Sequence, residues 1–163
     1  MTQIPRGAER QLAWLVDRAC IAELIMEYNR ALDEKDVDAI VACYTEDGML
    51  EVPFGNIPAK DLAAAAPGAL ALYDVTHHLS GAHSIVIDGD TAKCRVSFMA
   101  VHVPSAARRG EHGDVGGWYH ITLRRVDGRW RFVTVRDDFL WTLGDKFPGT
   151  KEHMAALAQG GWG

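Results

Sequence analysis

HSIVIDGDTAKCRVSFMAVHV (83–103) and GGWYHITLRRVDGRWRFVTVRDDF (116–139) share one design: an extended apolar run, an Asp-Gly pair and a second extended run. Asp88-Gly89 and Asp127-Gly128 are the pairs, and Asp-Gly readily takes the positive φ angles of a tight hairpin turn. Two antiparallel hairpins are therefore expected. Side chains alternate along a strand, so Ala92, Cys94, Val96, Phe98, Ala100 and His102 share one face, apolar until its last member. His102 is then either a core histidine with its hydrogen bonds satisfied or a group at the edge of a pocket. His120 shares a face with Thr122 and Arg124 and reads, alone, as a half-exposed strand residue.

Upstream of the hairpins the periodicity is helical. From Arg10 to about Leu32, Leu12, Leu15, Ala19, Ala22 and Ile25 recur every three or four residues. Asp36 is a suitable N-cap for a second helix through Val37, Ile40, Val41 and Tyr44, which Glu46-Asp47-Gly48 closes. MLEVPF (49–54) reads as a short strand, and 58–73 as a short helix broken at Pro67. PSAARRGEHGDVG (104–116) reads as a polar loop, and Lys151 to Ala158 as a last short helix. Helices followed by antiparallel strands predict an α+β fold. A single sheet of this length must bury one face, which the N-terminal helices and sheet curvature together accomplish; the concave end is a natural small-molecule pocket.

The chain of 163 residues, 48% hydrophobic and 24% charged, suits one domain, 1–163, with a core of about 10–142 and a tail of 143–163. A net charge of −5 without a basic cluster argues against nucleic-acid binding. No apolar run approaches the roughly 20 residues of a membrane span. The opening MTQIPRGAER lacks the layout of a secretory signal, so a cytoplasmic location is the expectation. Cys20, Cys43 and Cys94 are widely spaced in apolar surroundings, which predicts buried, reduced thiols.

THHLSGAH (76–83) holds three histidines. Adjacent strand residues point to opposite faces, so His77 and His78 do not easily share a metal ion, and no HExxH or paired-cysteine pattern accompanies them; no metal and no cofactor are expected. A bulge at Ser80-Gly81 would shift the alternation downstream. Asp33, at the end of the first helix, is either a solvated helix terminus or the partner of a strand histidine. In the latter case it would fix the imidazole tautomer and stabilise the imidazolium.

The order of elements, with ALDEKDVDAIVACYTEDG, HHLSGAHSIVIDGDTA and GGWYHITLRRVDGRWRF in these places, resembles the SnoaL-like branch of the nuclear transport factor two-like superfamily. The resemblance covers about residues 10–142. It implies a cone-shaped, curved, mainly antiparallel sheet packed on N-terminal helices. Within that branch the motifs are similar to lyases with an Asp–His dyad: scytalone dehydratase, bile acid 7α-dehydratase and hexachlorocyclohexane dehydrochlorinase. The similarity implies Asp33 and His78 as the dyad, with His77 facing away and His83 structural. It adds His102 as a second pocket histidine, Tyr28 as a hydroxyl donor and His120 at a substrate-contacting place.

Tyr28 and Asp33 would point about 140° apart on an ideal helix, so their convergence requires the helix to end or distort near Arg30–Leu32. The tyrosines of scytalone dehydratase are replaced by Leu32 and Val52. Arg124 and Arg125 fall near an arginine of the dehydrochlorinase without a one-to-one match. Arg136 lies close to a pocket arginine of the bile acid enzyme, whose aligned place is Phe139.

Trp14, Val52, Phe54, Phe98 and Trp118, with Met26, Leu72 and Trp141, are expected to form apolar walls suited to a hydrophobic cyclic substrate: a steroid, terpenoid, polyketide or halogenated ring. The resemblance implies removal of water or another leaving group by general acid–base catalysis. An isomerase or polyketide-type cyclase could use the same dyad. A non-catalytic small subunit of a ring-hydroxylating dioxygenase is the other alternative, and it predicts Asp33 turned away from His78. A homo-oligomer, trimer or dimer, is expected.

Overall fold

The computed structural model describes residue 4 and residues 6–144; the expected helix at Lys151–Ala158 lies outside them. Three helices, α1 (Ala8–Glu34), α2 (Val37–Ala42) and α3 (Leu62–Leu70), accompany six strands: β1 (Tyr44–Val52), β2 (Gly55–Pro58), β3 (Val75–Asp88), β4 (Thr91–Val103), β5 (Gly113–Val126) and β6 (Arg129–Leu143). The strands form one sheet in the order β2-β1-β6-β5-β4-β3. Only the β1–β6 pairing is parallel. The fold is α+β, a curved, mostly antiparallel sheet with helices against its inner face.

Both hairpins form where the Asp-Gly pairs predict. Val126 pairs with Arg129 across Asp127-Gly128, whose φ angles of 48° and 76° fit a two-residue turn with both central residues left-handed. In the first hairpin the turn residues are Gly89 and Asp90, because Asp88 already pairs with Thr91.

The inner face of β4 is as alternation predicts, with Ala92, Cys94, Val96, Phe98 and Ala100 all buried. It packs with Ile85, Tyr119, Ile121, Leu123, Phe132 and Val135 against Ile21, Ile25, Tyr28 and Ala31 of α1. Tyr28, Tyr44 and Phe132 meet edge to face, with ring centroids 5.4–5.9 Å apart.

Several sequence expectations are corrected. The predicted helical stripe is buried only in its second half: Leu12 and Leu15 are 64% and 56% exposed, and Cys20 is exposed too. The first half of α1 is instead tied to the sheet by polar contacts. Arg18 donates to the Ile85 carbonyl, and Asp17 accepts from Arg125 and from the Trp130 indole. Tyr44 and Glu46–Gly48 belong to β1 rather than to the end of α2. Pro67 sits inside α3 without ending it; its carbonyl accepts from Ala71 N–H. β5 begins at Gly113, within the stretch read as loop. No helix among the described residues is long and apolar enough to cross a membrane.

Candidate active site

α1 ends in a left-handed residue, Lys35, with φ 58°, and Asp36 then caps α2 by accepting from Ala39 N–H at 3.0 Å. This reversal leaves Asp33 in the last turn of α1, facing β3. There its Oδ1 lies 2.6 Å from Nδ1 of His78. His78 backbone N–H donates to the same carboxylate, 2.9 Å from Oδ2, and Thr76 Oγ1 donates to Oδ1 at 3.0 Å. Burial pushes the Asp33 pKa up, but the hydrogen bonds from His78 and Thr76 outweigh it and hold the carboxyl below its usual range. The His78 side chain is only 10% exposed. With Nδ1 engaged by the carboxylate, Nε2 is the nitrogen left to exchange a proton.

A second histidine completes the cluster. The His102 ring lies edge-on to His78 at 5.5 Å and to Tyr73 at 4.9 Å. Burial first, and then the charge of His78, lowers the His102 pKa to about 4. One turn before Asp33 on α1, Asn29 is buried and donates to Ser80 Oγ at 2.9 Å.

β3 presents Thr76, His78 and Ser80 to the interior. The register then shifts between Gly81 and Ser84, with Ala82 at φ 52°, so that His83 and Ile85 also point inward. The bulge thus lies just past Ser80-Gly81, which still pair regularly with Phe98 and Ser97. Burial and the charge of Arg18 lower the His83 pKa. His77 is 65% exposed, although its Nδ1 remains 3.7 Å from Asp33 Oδ2.

The other predicted residues divide. Phe98 is buried on the inner face, stacked on Tyr119 with centroids 4.1 Å apart. Tyr28 is buried as well, but it faces another part of the interior from Asp33. Its hydroxyl accepts from Tyr44 at 3.3 Å, and α1 stays helical through Glu34, so the helix break needed for convergence with Asp33 is absent. Val52 ends β1 and Phe54 stands in the β1–β2 turn, both half-buried.

Three predicted contacts are not brought to the dyad. His120 and Trp118 alternate with the buried Tyr119 and Ile121 and so lie on the outer face of β5. There Trp118 stacks under Arg95 and His120 Nε2 is 3.5 Å from Asp138. Trp14 carries Arg18 over its ring and stands about five helical turns from Asp33, roughly 28 Å at 1.5 Å per residue. Met26, Leu72 and Trp141 are exposed, Trp141 covering Gly116. Arg124 pairs with Asp47, Arg125 with Asp17 and Asp90, and Arg136 is exposed. Burial raises the Cys94 thiol pKa to about 12, which keeps it protonated. Among the described residues no group of three His, Cys, Asp or Glu side chains is arranged to hold a metal ion.

One interior acid had no signal in the motif reading. Asp137 of β6 is the cross-strand partner of Tyr119, and burial raises its pKa to about 8. Thr76, Asn29 and Ser80 were missed as well, although alternation to either side of His78 would have found Thr76 and Ser80.

A family model for the SnoaL-like domain matches residues 14–136, three-quarters of the chain. The chain belongs to the SnoaL-like family. An uncharacterised protein of Mycobacterium tuberculosis is 27% identical over 125 residues, covering 75% of this SnoaL-like chain and 84% of its relative. Two solved structures show the same fold at lower identity. A protein provisionally assigned as a scytalone dehydratase from Novosphingobium aromaticivorans has a TM-score of 0.72 at 22% identity, with 79% and 87% of the two chains covered. A type 3 hexachlorocyclohexane dehydrochlorinase from Novosphingobium barchaimii has a TM-score of 0.71 at 13% identity, covering 81% and 92%.

Proposed function

We propose that this SnoaL-like protein is a cofactor-independent lyase that eliminates water, or another leaving group, from a hydrophobic cyclic small molecule. The observation that carries the reading is the 2.6 Å contact between Asp33 and His78, made inside the protein and reinforced by two further donors to the carboxylate. In this mechanism His78 Nε2 removes a proton from carbon beside an activating group. Asp33 holds the ring and balances the charge of the imidazolium. Leaving-group departure then forms the double bond, with the departing atom protonated by the imidazolium or by another donor. His102 is kept neutral by burial, which avoids a second positive charge beside the imidazolium.

The dioxygenase-subunit alternative expects Asp33 turned away from His78, so the close pairing favours an enzyme. The dehydrochlorinase and the provisional dehydratase among the structural neighbours support elimination as the reaction class. The test is a screen of cyclic alcohols and halides in deuterated water with wild type, Asp33→Ala and His78→Ala. Release of water or halide supports a lyase, whereas label uptake at retained mass supports an isomerase. Each substitution is expected to slow turnover by roughly 10²–10⁴-fold, the usual worth of general acid–base catalysis. Undiminished activity in His78→Ala would sink the proposal.

A further inference from the structure

Taking a proton from carbon leaves an electron pair that must be delocalised. A carbonyl beside that carbon carries the pair onto its oxygen, where a hydrogen-bond donor already in place stabilises the developing charge. The dyad supplies the base but not this donor, because Asp33 only accepts and Thr76 spends its proton on Asp33.

Ser80 stands where such a donor is needed. One residue separates it from His78, so both side chains project to the interior, about 7 Å apart at 3.4 Å per residue. On α1, Asn29 and Asp33 are one turn apart and share a face. Asn29 therefore meets Ser80 as Asp33 meets His78, at 2.9 and 2.6 Å, and two side-chain pairs join the same helix to the same strand. In the first pair the Asn29 Nδ2 group donates and Ser80 Oγ accepts, so the Ser80 proton is committed to no acceptor among the described residues. Asn29 is 6% exposed and its Oδ1 has no partner among the described residues, so Ser80 is the contact that fixes the amide. Ser80 is half-buried, at the edge of the packed interior. Its cross-strand neighbour on β4 is Phe98, buried on the same face, an apolar wall beside the hydroxyl.

We propose that the Ser80 hydroxyl, oriented by Asn29, holds the carbonyl oxygen of the substrate, which makes the substrate a cyclic ketone with its leaving group β to the carbonyl; this rests on the lyase reading above. An α-carbon about 3.5 Å from His78 Nε2 and an oxygen about 2.8 Å from Ser80 Oγ, two bonds from each other, bridge the spacing of the two side chains. The α C–H bond breaks, its proton passes to Nε2, and its electron pair moves onto the carbonyl oxygen, which the Ser80 O–H stabilises. The pair then returns to re-form C=O and make the C=C bond, while the bond to the departing group breaks with its electrons on that group. A departing hydroxyl takes the imidazolium proton and leaves as water. Asn29 is a positioning residue, acting through Ser80.

The test compares the whole protein with Ser80→Ala in two measurements. The first needs no turnover: 4-nitrophenolate, a planar ring bearing an enolate-like oxygen, is titrated and followed by its absorbance. Ser80→Ala is expected to weaken binding roughly 10–100-fold, the worth of one hydrogen bond to a charged oxygen. Equal affinity for both proteins, or no binding to wild type, would overturn the proposal. The second follows elimination from β-hydroxycyclohexanone, where Ser80→Ala is expected to lower kcat about 10²–10³-fold while Ser80→Thr, which keeps a hydroxyl, restores most of it. Asn29→Leu is expected to slow wild type yet add nothing to Ser80→Ala, and additive losses would overturn its positioning role. Turnover of a halogenated cyclohexane but not of the hydroxyketone would overturn the ketone assignment and leave the dyad intact, which His78→Ala tests separately.

Discussion

A carboxylate in the last turn of a helix faces the partial negative charge of the carbonyl end. Asp33 occupies that position because β3 brings it three donors: the His78 ring, the His78 backbone N–H and the Thr76 hydroxyl. Thr76 is 5% exposed, so removing its hydroxyl leaves the half-buried Asp33 carboxylate one partner short. Thr76→Val keeps the shape and is expected to lower stability by about 1.5–3 kcal/mol, the usual worth of a hydrogen bond to a charged group, measured by urea denaturation. This arrangement connects residues 43 and 45 positions apart in the chain. Asp33 and His78 were legible through resemblance to the dyad lyases, whereas periodicity alone left Asp33 open between a helix terminus and a histidine partner. Thr76 was overlooked because a threonine in a strand has nothing unusual about it until its acceptor arrives from another element.

At the scale of the element, β3 and β6 carry the irregularities that aim the site. The bulge between Gly81 and Ser84 lets His78 and His83, five residues apart, face the same side. β6 shifts register against β5 between Gly116 and Gly117, and at Gly117 the facing backbone of β6 leaves no room for a side chain. A Cβ there would sit 2.0 Å from the Asp138 carbonyl oxygen. Gly117→Ala is therefore expected to part β5 from β6 beside Asp137, at a cost of at least about 1–3 kcal/mol typical of overpacking, whereas Gly55→Ala, with nothing within 4 Å, is a near-neutral control. Chemical denaturation of both variants checks this. The hairpins themselves were readable because turn chemistry and alternation are local. The ends of α2 and the start of β5 were not, because Tyr44 and Asp114 act as strand residues only through their neighbours across the sheet.

For the whole molecule, the two interior carboxyl groups give opposite pH dependences. The folded-state pKa of Asp33 lies below the ordinary value, so its stabilising contribution is present above that value and is lost as pH falls through the folded pKa. Asp137 is raised from 3.8 to about 8, so the unfolded chain releases its proton first, and stability declines progressively across that window and then levels. Asp137→Asn is expected to melt higher than wild type by a margin that widens from pH 5 to pH 8, measured by thermal denaturation. By itself the sequence determined the α+β class, the two hairpins and the apolar face of β4, since each depends on residues adjacent in the chain. Only the tertiary structure decided which half of α1 is buried, that His120 and Trp118 face outward, that Tyr28 and Asp33 serve different parts of the interior, and that Asp137 keeps its proton. The physical reason is that burial and protonation depend on what the other elements place around a side chain, and at Asp137 it is burial that raises the carboxyl pKa to about 8.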